Sequence, residues 1–504
     1  MLFYLQIICN FRIILWMVTI SINNVYCQIN GLADIKVIDR LDHKLSYYVS
    51  GYNFTLAYKQ RRWDGRKHLL SNQLKFQAGL LPIVEDILQQ ESVSYQVEDQ
   101  RQPIVLGKPI PLLDTYYNLR DYQLEAVERA KQYKHGLLKI ATGGGKSAII
   151  AKIIGDLNVK AVVYVISLDL LYQMKQNVEE ALGIECGIVG DGNCTIKKIS
   201  IATPWTVANA YDKEYNPFDD EEHKAKETLD QLSKIKIQKM VENAQMFIVD
   251  ECQFMAAESI QLITKSSKNA RYKLGFSGTP WRDDGADLAL TASTGPQLID
   301  INATTLIGRG VLVPPKIFFF EVPELKGFER HERHPYPKVY DNYIVENLVR
   351  NEMIIESASK LHAKGRKTLI LVKRKKHGLK LLEIMPKNIK TYYLNGDAPT
   401  SERQAVKDLF NMNGLDVIIA SSIFDQGIDL PRLDALILAG SGKSSTRSLQ
   451  RIGRVIRGAD GKSDAIVVDF VDSASYLYEH SRKRWTIYKS EPAFQIKLPE
   501  HIEW

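Results

Sequence analysis

Eleven short runs of almost uninterrupted apolar, β-branched residues recur along this chain, and they constrain its fold more than any other feature. The first five are Leu137–Ile140, Ala161–Ile166, Lys198–Ala202, Met246–Asp250 and Tyr272–Phe276. The remaining six are Lys316–Phe320, Thr368–Val372, Lys390–Leu394, Asp416–Ala420, Asp434–Leu438 and Ala465–Asp469. A strand that is apolar at every position has both faces covered, the condition of a parallel sheet flanked by helices. Helix-compatible stretches such as Leu170–Leu182 and Ser401–Asn411 lie between the runs. This alternation predicts an α/β fold. Eleven strands are many for one open sheet, so two consecutive α/β domains are expected. The break falls at Gly308–Pro315, where two glycines and a Pro-Pro pair punctuate the chain.

The 504 residues suffice for about three domains. The expected division is a segment 1–32, an N-terminal domain 33–113, α/β domains at 114–310 and 311–474, and a tail 475–504. Leu2–Ile20 is apolar but interrupted by Gln6, Asn10 and Arg12. It reads as a signal peptide, a membrane anchor, or a stretch outside the working fold; the last is preferred, with the ordinary sequence starting near Ala33-Asp34-Ile35. Tyr211–Asn243 is long and charged and reads as a solvated surface insertion. The five cysteines include no CxxC pair and no zinc spacing, which points to reduced thiols, no zinc site and a cytoplasmic location. A formal charge of +7 is compatible with a polyanionic partner.

Ile140-Ala141-Thr142-Gly143-Gly144-Gly145-Lys146-Ser147 follows an expected strand and precedes the helix-like Ala148–Leu157. Phosphate binding needs that setting. Glycines let backbone N–H groups curl around phosphate oxygens, and the helix N-terminus adds its positive dipole end. Lys146 is the candidate cation for the β/γ-phosphates and Ser147 a candidate Mg²⁺ ligand. Ile140 stands where the strict motif has its first glycine. Downstream, Met246–Gln253 is an apolar strand ending in two carboxylates. Asp250 is placed to hold Mg²⁺ and Glu251 to orient or deprotonate an attacking water. An acidic turn after an apolar run is common in itself, so this pair gains its meaning from the phosphate loop upstream.

The order of motifs resembles that of superfamily 2 helicases. Leu119-Arg120-Asp121-Tyr122-Gln123 resembles their Q-type motif, which implies that Gln123 reads adenine. Thr203-Pro204-Trp205 resembles motif Ib and Ser277-Gly278-Thr279-Pro280 motif III. Ser421–Pro431, with Gly427 and Asp429, resembles motif V, and Gln450–Arg457 matches the QxxGRxxR pattern of motif VI. The resemblance covers about residues 114–472 and implies two RecA-like domains in tandem that bind ATP and Mg²⁺ between them. Arg454 and Arg457 are three apart and share a helix face, where paired guanidinium groups suit a γ-phosphate. Gln253 replaces the more usual His or Asp, a departure at the contact from motif II to motifs III and VI.

Candidate nucleic-acid contacts are Thr203, Ser421 and Ser422 through their hydroxyls, and Lys373 and Arg374 in the basic run Lys373–His377. A charge run is as often merely solvated. In Tyr58–His68, basic residues interleave with aromatic ones, and Arg62 and Trp63 suit backbone contact and base stacking. Trp63 can equally pack in a β-hairpin that turns at Asp64-Gly65. This segment resembles the small N-terminal domain of UvsW-type phage recombination helicases. The resemblance implies remodelling of branched DNA: R-loops, D-loops, forks and branch migration. Rival readings are a double-stranded DNA translocase subunit of a restriction-type complex, and a non-hydrolysing scaffold.

Overall fold

The computed structural model describes residues 17–113, 118–212, 229–256, 258–280, 286–328, 334–421, 430–440, 442, 445–459, 461–502 and 504. The chain divides into two compact units, residues 1–140 with 145–300, and residues 141–144 with 301–504.

Among the described residues, the first unit holds three sheets. A four-stranded sheet is ordered β5-β2-β1-β6, from β1 (Val18–Ile22), β2 (Tyr26–Asn30), β5 (Lys75–Gln77) and β6 (Tyr95–Asp99). Val18, Ile20 and Ile22 alternate with half-buried Thr19 and Ser21, the pattern of a strand packed on one face. With Cys27, Ile29, Phe76 and Leu88 they build one core. This corrects the expected boundary at residue 33, because residues 18–30 supply the two central strands. The alternation was hidden by the apolar stretch running into it. β3 (Ser46–Tyr48) and β4 (Arg66–His68) form a separate two-stranded antiparallel ladder. The N-terminal core extends onto the neighbouring sheet's helix Asp287–Thr294 through Ala292 and Leu288. Contact there is close: a Cβ on Gly79 would lie 2.2 Å from the Thr291 carbonyl oxygen.

The large sheet of this unit is ordered β10-β9-β11-β8-β12-β13-β7-β14. Its strands are β7 (His135–Ile140), β8 (Ala161–Tyr164), β9 (Gly187–Gly190), β10 (Asn193–Thr195), β11 (Ile199–Ala202), β12 (Met246–Asp250), β13 (Tyr272–Ser277) and β14 (Gln297–Ile301). The five central strands β11, β8, β12, β13 and β7 pair in parallel, each where an apolar run predicted one. Helix Gln231–Asn243 buries Ile237, Met240 and Val241 in this core. The second half of the charged stretch 211–243 is therefore not a solvated insertion; residues 213–228 lie outside the described part.

The second unit carries a seven-stranded parallel sheet ordered β17-β18-β16-β19-β20-β15-β21. Its strands are β15 (Pro315–Val322), β16 (Thr368–Leu371), β17 (Thr391–Leu394), β18 (Val417–Ala420), β19 (Ala435–Ile437), β20 (Ala465–Asp472) and β21 (Gln495–Lys497). All six predicted runs of the second half are strands here. The segment 475–504 is not a loose tail: helix Ser475–Lys489 packs on β20, and β21 adds to β15. The Glu491 carboxylate accepts from the backbone N–H of Thr304 at 2.9 Å and from its hydroxyl at 2.7 Å, adding to the N-cap that Asn302 supplies to the helix Ala303–Gly308. Among the described residues, no helix is long and apolar enough to cross a membrane.

Candidate active site

β7 runs into a glycine-rich turn, and helix Lys146–Leu157 starts directly after it. Gly143 and Gly145 adopt φ of +88° and +82°, which glycine takes without a Cβ penalty. The Gly144 N–H closes the turn on the Ala141 carbonyl at 2.9 Å. Ser147 is the second residue of the helix and half-buried.

β12 lies two strands from β7, across β13, and ends at Asp250. Its apolar residues are all buried, so Asp250 is carried into a desolvated position at the carboxyl end of the sheet. The chain then turns through Glu251 at φ +55°, an uncommon conformation for a residue with a Cβ. That turn aims the Glu251 carboxylate at the phosphate loop. Lys146 Nζ donates to Glu251 Oε1 at 2.8 Å and stands 3.8 Å from Asp250 Oδ1. Burial pushes the Asp250 carboxyl up to about 6, against the pull of the Lys146 ammonium. Burial acts to lower the Lys146 ammonium, but the charges of Glu251 and Asp250 outweigh it and the net shift is upward.

Gln253 extends this cluster. Its amide nitrogen donates to Glu251 Oε2 at 2.9 Å, while its Oε1 accepts from the Ser277 hydroxyl at 2.7 Å. Ser277 Oγ in turn accepts from the Thr279 N–H at 3.0 Å. The departure at Gln253 therefore leaves the link from the acidic strand to Ser277-Gly278-Thr279-Pro280 intact. An amide can donate and accept at once, as this bridge requires.

Gln123 is buried at the start of helix Asp121–Tyr133, where its Oε1 accepts from the Arg120 N–H at 2.9 Å. A Cβ built on Gly145 would lie 2.2 Å from Gln123 Nε2. Gly145→Ala should therefore displace the amide and force alanine into a left-handed conformation, which costs roughly 1–2 kcal/mol. Expected outcomes are a lower melting temperature and a raised KM for nucleotide, both within reach of calorimetry and steady-state assays. A variant unchanged in both would contradict the packing.

The remaining candidates are scattered. Arg454 belongs to the helix Ser445–Val455 of the second unit and Arg457 follows it, pairing through an isolated bridge with Leu312. Ser421 is buried at the end of β18. Ser422, Gly427 and Asp429 lie outside the described residues. Thr203 is fully buried, with its hydroxyl 2.7 Å from that of Thr206, so the expected backbone contact through this hydroxyl is not available. In the basic run, Arg374 pairs with Asp341 at 2.6 Å, Lys376 with Glu346 at 2.7 Å, and Lys375 with Asp397. His377 is buried against Asn351, its pKa pulled down to about 3 by desolvation. Part of this charge is thus neutralised locally. Trp63 donates from Nε1 to the Arg66 carbonyl at 2.8 Å, but β4 pairs with β3, so Asp64-Gly65 is not the turn of a hairpin. Arg62 is exposed.

Residues 116–282 match the family described as type III restriction enzyme, res subunit, and residues 349–459 match the helicase conserved C-terminal domain. The DNA 3′-5′ translocase XPB2 of Sulfurisphaera tokodaii is 22% identical over 76% of this chain and 88% of its own. The ATP-dependent DNA helicase uvsW of Enterobacteria phage T4 is 26% identical over 85% of this chain and 86% of its own. The solved structure of an ATP-dependent Type ISP restriction-modification enzyme, LlaBIII, bound to DNA, aligns over 83% of this chain and 35% of its own, with 13% identity and a TM-score of 0.51, a likeness of fold. With a phosphate-loop strand, an acidic strand and a second parallel sheet all in place, these matches identify the chain as an ATP-dependent helicase of superfamily 2 that resembles the UvsW type.

Proposed function

We propose that this chain is an ATP-driven DNA motor that remodels branched DNA. The observation that carries the reading is the unbroken chain Lys146–Glu251–Gln253–Ser277–Thr279, which joins the phosphate loop to the segment resembling motif III. This chain connects the Lys146–Glu251 ion pair to a second element through continuous hydrogen bonds. In this reading the glycine-rich turn and the helix N-terminus cradle the phosphates, and Lys146 leaves Glu251 for their oxygens. Glu251, released from the ammonium, holds the attacking water and takes its proton. Arg454 and Arg457 are the candidate guanidinium partners of the γ-phosphate, and Gln123 the candidate for the adenine.

The donor chemistry at Asp250 and Ser147 fits a divalent cation. Burial disfavours the Asp250 charge, and a hard cation held by carboxylate and hydroxyl oxygens relieves that cost. Mg²⁺ would be held there and would neutralise charge on the phosphates when bound.

DNA as the track is supported by the name of the T4 relative, an ATP-dependent DNA helicase; the branched form rests on the resemblance of Tyr58–His68 to the N-terminal domain of UvsW-type helicases. Backbone-directed contacts without base readout suit a protein that moves along its track. The test is ATP hydrolysis measured with and without DNA, followed by strand displacement on a forked duplex. Hydrolysis stimulated by DNA together with release of one strand is expected. Stimulation with no strand release would favour the translocase alternative, and nucleotide binding without turnover would favour the scaffold.

A further inference from the structure

The segment between β3 and β4 is largely exposed. Residues 53–62 are all exposed, and among them are two large apolar side chains, Phe54 at 77% and Leu56 at 68% of full exposure. Isolated exposed apolar residues need no explanation; here two share one ten-residue segment, exposed throughout, with several cations, which makes it a candidate contact site. From Gly51 to Trp63 there are three cations, Lys59, Arg61 and Arg62, and no carboxylate.

The protrusion is braced from below. Tyr52 stacks on Tyr48 with ring centroids 4.7 Å apart and meets Tyr58 edge-on at 4.8 Å. Gly65, at φ +84°, lies so close that a Cβ there would fall 2.4 Å from the Tyr52 ring. The Phe54 N–H bonds to the Gly51 carbonyl at 3.0 Å, and the Thr55 hydroxyl to the Tyr52 carbonyl at 2.7 Å. The side chains of Phe54 and Leu56 stay largely exposed above this bracing. They are presented outward on an ordered base, inside the same compact unit as the phosphate-loop sheet.

We propose that Phe54 and Leu56 form a wedge that stacks on the terminal base pair at a DNA branch, with Lys59, Arg61 and Arg62 gripping the adjoining phosphates. An exposed apolar pair followed within six residues by three cations suits the end of a duplex, where a flat apolar base pair is flanked by phosphates. A protein partner with an apolar surface would not require this run of cations. The proposal rests on the branched-DNA reading and adds to it the residues that recognise the branch.

The test uses the full chain and three DNAs: a fork with 2-aminopurine at the last base pair, a blunt duplex and a single strand. Phe54→Ala/Leu56→Ala should melt as the parent does, since both side chains are exposed. It should bind the fork about tenfold or more weakly, the size of one lost stacking contact, and lose the change in 2-aminopurine fluorescence. Single-strand affinity should stay within about threefold, because the phosphate contacts remain. Phe54→Trp should retain the fork preference. Equal fork binding by parent and double variant overturns the wedge, as does an equal loss on all three DNAs or conversion of a parental dimer to a monomer. A parent whose ATP hydrolysis responds to no DNA would instead overturn the motor reading itself, so the two failures are distinguishable.

Discussion

Glu251→Gln is expected to leave nucleotide binding intact and to cut ATP turnover by about 10²–10⁴-fold, the usual contribution of a positioned general base. The exchange is isosteric, so the left-handed turn at φ +55° and the neighbouring packing are kept. What disappears is the charge that now holds Lys146 at 2.8 Å and the basicity needed to take a proton from water. Binding of a fluorescent nucleotide measured beside steady-state hydrolysis separates the two effects. Turnover within a few-fold of the parent would remove Glu251 from the chemistry.

Arg350→Ala is expected to destabilise the second unit by roughly 3–5 kcal/mol, because it strands a buried carboxylate. Arg350 is completely buried at the start of helix Leu348–Ala363. Its Nε lies 2.8 Å from Asp472 Oδ1 at the end of β20, its Nη1 donates to the Ala439 carbonyl at 2.7 Å, and its guanidinium stacks 4.8 Å over the Phe470 ring. Removing the cation takes away the guanidinium that pairs with Asp472 inside the core and leaves the carboxylate only the charge of Arg484 nearby. Replacing both partners by apolar residues, as Arg350→Met/Asp472→Leu, should recover most of the loss, since apolar replacement of a buried pair is often close to neutral. Denaturant unfolding of the two variants checks this. Equal stability of Arg350→Ala and parent would show that the pair contributes nothing.

The contrast between those two residues explains what the sequence could disclose. Glu251 was legible because it follows a five-residue apolar strand and a phosphate loop stands upstream, a local pattern with a chemical reason. Arg350 was not, because its partner lies 122 residues away and nothing local marks a buried ion pair. The same division holds for strands. Those covered on both faces announce themselves by continuous apolar runs. β9 is bracketed by glycines, β14 carries Asp300, and β21 is three residues of largely polar sequence, so each lacks that signal. β1 was missed for the opposite reason, since its alternation merged into apolar sequence before it. Thr203 shows a further limit: its position in the motif was read, but its burial follows from the packing of β11 and the helix Pro204–Ala210, which no spacing discloses. Gln253 shows that chemistry at a position can outlast residue identity.

The placement of β1 and β2 bears on how this protein can be shortened. Each has a neighbour on both sides, β1 between β2 and β6, and β2 between β1 and β5. A version begun at Ala33 would delete the middle of that sheet and keep its two margins, with nothing left to zip them together. Phe76, Val84 and Leu88 would lose Ile20 and Ile29 as cover, and open strand margins beside bare apolar surface invite clumping. Trimming for expression or crystallisation must therefore spare everything from Val18 onward.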